Sequence, residues 1–223
     1  MQQVTNSVYR LVFNSVEENC YILIDKATNC AAIVDPGCMN KGEEEEEEAL
    51  ANAVEHLKVK PVLLLVTHMH FDHIWGMHYV ADKWHLTPMA HKTEIAQMPS
   101  LSEQLAGYGI ASDGRYPDNT IEPLPEDQPL TYGESRLEVL PVPGHSPGHV
   151  AYYNRSEGFL LTGDALFYES IGRTDLLGGS YSKLIQSIQN EIFTLPDETL
   201  VLPGHGIPTS VGHEKHNNPF LLQ

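Results

Sequence analysis

Short runs of apolar residues, each closed by a polar or turn segment, fill the first third of the chain and recur in its second half. Runs of this length are typical of β-strands. The run at 62–66 is apolar without interruption, which favours a strand buried on both faces of a sheet that helices cover. The predicted strands are 4–13, 20–24, 31–34, 62–66, 137–140, 149–153, 159–161 and 200–202.

Apolar residues at intervals of three and four predict helices between these strands. One helix opens on the glutamate run at 43–48, whose negative charges favour a helix start. Others begin directly after His73, at a capping box formed by Ser100 and Glu103, and behind Ser180 as a possible N-cap. Because strands and helices recur in both halves and no linker divides them, we predict one domain, residues 1–223, with two sheets sandwiched between helices.

The charge of the chain narrows the classes of partner. Its 13 Lys and Arg against 30 Asp and Glu give a formal net charge of −17, which repels the phosphates of nucleic acids. No apolar stretch approaches the roughly 20 residues of a membrane span, and the first residues do not form an export signal. Three cysteines are too few for a disulfide framework. We therefore expect a cytoplasmic protein that binds neither nucleic acid nor membrane.

The 12 histidines are the unusual feature of the composition, since imidazole is the commonest neutral metal ligand. Residues able to bind metal gather in four segments, each starting close behind a predicted strand. Loops that leave the same edge of a sheet converge, so these segments can surround one point. The segments are 67–73 (Thr-His-Met-His-Phe-Asp-His), 143–149 (Pro-Gly-His-Ser-Pro-Gly-His), 162–164 (Thr-Gly-Asp) and 203–206 (Pro-Gly-His-Gly).

The spacing in the first segment suits two ions. His68 and His70 point the same way in an extended chain and can reach one ion. Asp72 and His73 follow a short turn later and can serve a second, and the carboxylate of Asp164 can bridge the two. Such a site supplies a hydroxide near neutral pH, because coordination lowers the pKa of water from about 15.7 towards about 7. Zinc is favoured, and iron or manganese also accept these ligands.

These motifs resemble the metallo-β-lactamase superfamily, and the resemblance covers nearly the whole chain. It is carried by His-x-His-x-Asp-His at 68–73 and by the Gly-His-Ser-Pro-Gly-His, Gly-Asp and Pro-Gly-His-Gly segments. It implies an αββα sandwich with two divalent metal ions and with Asp72 and Asp164 as catalytic residues. The implied ligands are His68, His70 and His145 for the first ion, Asp72, His73 and His205 for the second, and Asp164 for both.

Within the superfamily, the match is closest to single-domain proteins similar to glyoxalase II. The shared residues are 163–167 (Gly-Asp-Ala-Leu-Phe), 171–175 (Ile-Gly-Arg-Thr-Asp), Glu214 and 218–220 (Asn-Pro-Phe). Those proteins hydrolyse thioesters of glutathione, above all S-D-lactoylglutathione. The resemblance therefore implies a small-molecule thioester substrate, attacked by a hydroxide that bridges the metals.

Two points leave the substrate open, and the oligomeric state is open as well. We expect no C-terminal helical domain like the one that gives glyoxalase II its basic residues for glutathione, so Arg173 and Arg115 are the candidates for that role. The alternative function is that of a mononuclear iron persulfide dioxygenase. Those relatives share the ligand-type residues and the Gly-Arg-Thr-Asp sequence but use fewer of the ligands.

Two other residues are expected near the metals. Asp35, in an Asp-Pro-Gly turn, either hydrogen-bonds near the metal-binding loop or caps its own turn. His149 is expected to be structural or to orient a ligand rather than to bind metal itself.

Overall fold

The computed structural model of the protein describes residues 1–41, 44–110, 121–125 and 128–222, and its strands form two large sheets and two short hairpins. In chain order the strands are β1 (Gln2–Gln3), β2 (Val8–Phe13), β3 (Glu18–Ile24), β4 (Cys30–Val34), β5 (Asn40–Lys41), β6 (Glu44–Glu45), β7 (Lys60–Leu65), β8 (Pro88–Ala90), β9 (Glu122–Pro123), β10 (Leu130–Tyr132), β11 (Ser135–Pro141), β12 (Val150–Asn154), β13 (Phe159–Gly163), β14 (Leu166–Phe167), β15 (Ser170–Ile171), β16 (Leu200–Pro203) and β17 (Thr209–Ser210).

Helices occupy many of the connections between these strands. They are α1 (Glu46–Leu57), α2 (Phe71–Ile74), α3 (Met77–Trp84), α4 (Lys92–Gln97), α5 (Leu101–Gly107), α6 (Tyr181–Ser187) and α7 (Val211–Asn217). The helix predicted behind Ser180 ends its α-helical part at Ser187 and continues as a π-helical turn, Ile188–Ile192. The capping box of Ser100 and Glu103 is present as predicted, whereas Ser180 takes the N-cap position without a side-chain cap bond.

Several predicted elements have different boundaries. The helix expected directly after His73 is two helices, α2, which begins at Phe71 and includes His73, and α3. The helix expected from the glutamate run begins only at Glu46, because Glu44–Glu45 pairs with Asn40–Lys41 as a hairpin; position 43 lies outside the described residues. The strand expected at 4–13 begins only at Val8, as β2, because residues 4–7 form the connection to β1, with which β2 pairs. The pattern of apolar residues did not predict the short helices α4 and α7, because they are too brief to show a helical period.

The two large sheets are both mixed. The first has the order β1-β2-β3-β4-β7-β8-β9 and the second the order β10-β11-β12-β13-β16-β17. Strand β4 runs parallel to β7, and β13 runs parallel to β16. A parallel pair needs a crossover, which α1 supplies in the first sheet and α6 in the second.

Alternation along the strands divides the core into three layers. In β3, Tyr21 and Leu23 lie in the core between the sheets, while Ile22 lies in the core that α1 and α3 cover. In β12, Tyr152 lies between the sheets and Tyr153 lies in the core that α6 and α7 cover. The chain therefore has the predicted αββα architecture. None of the described helices is both long and apolar enough to cross a membrane.

The parallel strand pairs bring four chain segments to one edge of the sandwich. Asp35 follows β4, the segment with His68 follows β7, Asp164 follows β13, and His205 follows β16. Because the carboxyl ends of parallel neighbours meet at the same edge, these side chains start from adjacent positions.

A hydrogen bond between the sheets gives a test of this packing. The Tyr152 hydroxyl on β12 donates to the Val66 carbonyl behind β7, at 2.7 Å and fully buried. We expect Tyr152→Phe to lower the free energy of unfolding by about 1–3 kcal/mol, because the buried carbonyl loses its partner. Urea denaturation measures this. Tyr153→Phe, on the outer face of the same strand, is the matched control, and an equal loss in both variants would contradict the packing described.

Candidate metal centre

The seven side chains predicted as metal ligands come together at this edge of the sandwich. His145 Nε2 lies 2.8 Å from His70 Nδ1, and His73 Nε2 lies 3.3 Å from Asp164 Oδ1. His205 Nε2 lies 3.3 Å from Asp72 Oδ2. His68 is in ring contact with His70, His73 and His145. Segments far apart in sequence therefore surround a single point.

Their ligand atoms fall into groups that could each hold an ion. Within each group the atoms lie within 4.8 Å of one another. Asp164 Oδ2 lies 3.6 Å from both His145 Nε2 and His205 Nε2, which is the place of a carboxylate between two ions. The groups are His68, His70 and His145; His68, His73 and Asp164; and Asp72, His73 and His205.

The chemistry of these atoms fits divalent metal. His68 Nε2, His73 Nε2 and Asp164 Oδ1 are buried and have no hydrogen-bond partner among the described residues. A buried polar atom without a partner costs free energy that native structures rarely leave uncompensated. A cation bound among these ligands would supply the missing partner. Zinc and iron both accept such a combination of nitrogen and oxygen donors.

Two imidazoles of the first group, those of His68 and His70, are held neutral, which is the form that binds metal. Burial lowers the pKa of His68 well below its usual value and lowers the pKa of His70 to about 4. Neighbouring imidazoles act in the same direction, since a second positive charge beside the first is unfavourable.

The second group consists of Asp72, His73 and His205, with Asp164 beside it. Here the carboxylates reverse the effect of burial on the pKa of His73. Burial acts to lower the pKa of His73, but Asp164 and Asp72 outweigh burial and raise it well above its usual value. Burial acts to raise the pKa of both aspartates, and the charge of His73 reverses this, so that both carboxyls keep a lowered pKa. Asp72 and Asp164 are thus carboxylates, as metal binding requires.

Asp35 is the support of this second group. Its carboxylate accepts hydrogen bonds from the Thr67 amide at 2.7 Å, the Thr67 hydroxyl at 2.6 Å and His73 Nδ1 at 3.1 Å. These bonds hold Asp35 in a left-handed conformation, with φ of 50°. Of the two roles expected for Asp35, the hydrogen bond to the metal-binding loop is the one present.

Other ligands are oriented in the same manner. His145 Nδ1 donates to the Arg173 carbonyl at 2.8 Å, and His205 Nδ1 donates to the Val16 carbonyl at 3.0 Å. Each bond fixes the orientation of the ring and directs Nε2 at the centre. His149 Nε2 accepts from the Asp164 amide at 3.0 Å, so His149 has the orienting place predicted for it.

Two glycines are required by the crowding around Asp164. A Cβ atom at residue 204 would lie 2.3 Å from Asp164 Oδ1 and 2.7 Å from His73 Cε1. Gly163 has a φ of +48°, and a Cβ there would lie 2.5 Å from Thr67 Oγ1. Only glycine lets these backbone segments approach the ligands so closely.

Several polar residues at the site were not found from the sequence, and Glu94 and Asn14 are two of them. Glu94 on α4 and Asn14 behind β2 both hydrogen-bond segments that carry ligands. A single acidic or amide residue in a short polar stretch has no periodicity or motif that distinguishes it. Only the three-dimensional contacts identify these two residues.

An open cleft of about 520 Å³ lies over the ligands. Its walls combine metal ligands with apolar and aromatic side chains, which is typical of a small-molecule site. Arg173 lies in the wall, and its guanidinium is paired with Asp175 at 2.7 and 2.8 Å. Arg115, the other cation considered, lies outside the described residues. The lining residues are Val16, His70, Phe71, Asp72, Gln104, Tyr108, His145, Asp164, Phe167, Arg173, Leu176 and His205.

The fold and these ligands define a class of metal-dependent enzymes. The sequence pattern of the metallo-β-lactamase superfamily matches residues 16–205, and the chain belongs to that superfamily. It is 36% identical over 214 residues to the probable metallo-hydrolase YqgX of Bacillus subtilis, covering 95% of this chain and 96% of that one. It is 34% identical over 211 residues to the hydroxyacylglutathione hydrolase GloC of Haemophilus influenzae, covering 92% and 93%.

Solved structures agree with this placement. The chain resembles the BLEG-1 B3 metallo-β-lactamase with a TM-score of 0.83 and 35% identity over 97% of this chain and 100% of that one. A di-iron-bound form of TTHA1623 gives 0.81 and 30%, over 96% and 100%. ETHE1 from Myxococcus xanthus gives 0.73 and 28%, over 95% and 83%. The chain is therefore an enzyme of this superfamily with candidate ligands for divalent metal, and one similar structure holds two iron ions.

The bridging position of Asp164 and the supporting position of His149 give a direct test. We expect Asp164→Ala to lose bound metal and turnover together, because both groups depend on that carboxylate. His149→Ala is expected to keep its metal, since His149 contacts the Asp164 backbone and not the ligand atoms. Metal content per chain after gel filtration, measured by mass spectrometry, gives the result. Loss of metal from His149→Ala would overturn the ligand assignment.

Proposed function

We propose that the protein is a dinuclear metallohydrolase that hydrolyses thioesters such as S-D-lactoylglutathione. The observation that carries this proposal is the completeness of two ligand groups with Asp164 between them, at the floor of an open cleft. The similarity to GloC, a hydroxyacylglutathione hydrolase, supports a hydroxyacyl thioester as substrate. Divalent ions bound there, with zinc as the first choice, supply a nucleophilic water near neutral pH and polarise a carbonyl.

The chain's own residues would position the reaction. Asp164 lies between the groups, and its buried carboxylate would be the ligand that the two ions share. The Asp72 side chain, 13% exposed, borders the cleft and can accept a hydrogen bond from the attacking water. The leaving group is a thiolate, which departs without a strong acid, so the site needs no separate proton donor for it.

The side chains that line the cleft could contact the thiol part of the substrate. Phe71 and Tyr108 form one aromatic wall with ring centroids 4.9 Å apart, and Phe167 lies on the opposite side beside His205. Arg173 is the positive side chain that borders this cleft among the described residues, and it already pairs with Asp175. We assign to Arg173 the contact with a substrate carboxylate. The free cysteines are typical of a cytoplasmic protein, and we propose that location for this one.

Hydrolysis of defined thioesters tests the proposal. Zinc-loaded protein is expected to release thiol from S-D-lactoylglutathione, and Asp164→Ala is expected to release none above background. A panel of glutathione and coenzyme A thioesters, followed with a thiol-reactive dye, measures kcat/KM for each. Absence of hydrolysis across the panel by metal-replete protein would contradict the proposal.

The persulfide dioxygenase alternative is separated in the same experiments. The group His68, His73 and Asp164 has the two-histidine, one-carboxylate composition used by oxygen-activating iron enzymes. A single iron per chain, with oxygen uptake and sulfite formation from glutathione persulfide, would replace the hydrolase proposal. Two ions per chain with thioester hydrolysis and no oxygen uptake would reject the alternative.

The role assigned to Arg173 makes a narrower prediction. Arg173→Ala is expected to raise KM for glutathione thioesters by up to about fivefold, the size of an exposed ion pair. The kcat should not change, because the backbone carbonyl that accepts from His145 stays in place. A thioester of the same acyl group with an uncharged thiol serves as the control substrate. An equal rise in KM for both substrates would remove Arg173 from carboxylate recognition.

A further inference from the structure

Glu94 is a wholly buried carboxylate beside the metal centre that no part of the proposed reaction uses. It lies on α4 and accepts three hydrogen bonds. Oε2 accepts from the Met69 amide at 2.9 Å, and Oε1 accepts from the Ser146 hydroxyl at 2.7 Å and the Gly148 amide at 2.6 Å. All three of its partners in these bonds are donors, so both carboxyl oxygens of Glu94 act as acceptors.

The three donors belong to two different ligand segments. Met69 lies between His68 and His70, and Ser146 follows His145 directly. One side chain therefore ties together the two loops that carry the first ligand group. These loops leave strands of different sheets, and Glu94 crosses the gap between them.

The helix that carries Glu94 is packed tightly onto the second loop. A Cβ atom at residue 148 would lie 2.8 Å from the Glu94 amide nitrogen and 2.7 Å from His91 Nδ1. His91 in turn caps α4 by accepting from the Thr93 amide at 3.2 Å. The backbone of the loop thus meets the start of α4, which fixes the carboxylate relative to both loops.

The second ligand group has supports of its own. Asn14 Nδ2 donates to the Asp72 carbonyl at 3.1 Å, Asp35 accepts from His73, and the Val16 carbonyl accepts from His205. None of the three hydrogen bonds described for Glu94 reaches this group. Asp35 also accepts from Thr67, next to His68, so it contacts both halves of the centre, whereas the bonds described for Glu94 reach the first ligand group alone.

We propose that Glu94 is a positioning residue that sets the spacing of the His68, His70 and His145 group and thereby the affinity for one of the two ions. The inference rests on the proposed dinuclear centre and not on the reaction catalysed there. Hydrogen-bond partners of metal ligands commonly change metal affinity by roughly 10–100-fold when removed. Glu94 lies one step further out, since it holds the loops rather than the imidazoles themselves.

Glu94→Gln tests this with almost no change in volume. An amide keeps one acceptor and gains a donor, so it cannot satisfy both the Met69 amide and the Ser146 and Gly148 pair. Competition between the protein and a chromophoric chelator measures the two zinc dissociation constants. We expect one constant to rise about tenfold or more and the other to stay within about twofold. Anomalous diffraction at limiting zinc should place the retained ion at Asp72, His73 and His205.

The matched control is Asp25→Asn. Asp25 is also a carboxylate that ties two turns together, accepting from the Ala27 amide, the Thr28 hydroxyl and the Glu134 amide. It lies at the other end of β3 from the metal centre, so this variant is expected to lower thermal stability and leave both zinc constants unchanged.

If Glu94→Gln does not fold, Ser146→Ala removes one of the three donors and is expected to raise the same constant by a smaller factor. The proposal fails if both constants are unchanged in a folded variant, or if both rise together as a general loss of stability would produce. Failure of thioester hydrolysis would leave this measurement intact, so the two proposals can fail separately.

Discussion

Five imidazoles and two carboxylates converge on one small volume at the edge of the sandwich, and the rest of the structure is arranged around that convergence. Buried polar atoms without partners, such as His68 Nε2 and Asp164 Oδ1, are unfavourable unless a cation satisfies them. The three apolar layers offset this cost, because they bury both faces of the strands from which the ligand loops start. A cation bound at these atoms would therefore stabilise the folded chain.

The two sheets alone would not define the centre. Parallel strand pairs bring four segments to one edge, but the loops beyond the strands need separate fixing. Buried carboxylates do this: Asp35 joins Thr67 to His73, and Glu94 joins the loop of Met69 to that of Ser146. Asp35 contacts His73 directly and His68 through Thr67, whereas the bonds of Glu94 reach the loops of the His68, His70 and His145 group.

The sequence predicted the ligands and the layer architecture because both leave strong local signals. Apolar runs indicate buried strands, and histidines placed just behind them indicate loops that meet. The role of Glu94 could not be predicted from the sequence, because it depends on contacts with Met69 and Ser146, which are far away in the chain. The start of α1 at Glu46 was missed because a short hairpin competes with the helix for the preceding glutamates. The spacing of Arg173 and Asp175 is compatible with their ion pair. The hydrogen bond from His145 to the Arg173 carbonyl, in contrast, leaves no signal in the sequence.

The central claim is that one pocket holds two metal ions on these seven side chains. Anomalous diffraction from crystals of zinc-loaded protein at the zinc absorption edge tests it most directly. The account predicts two peaks about 3.5–4 Å apart. One peak should be bounded by His68, His70 and His145, the other by Asp72, His73 and His205, with Asp164 between them. A single peak at full zinc occupancy, or a peak away from these residues, would contradict the account.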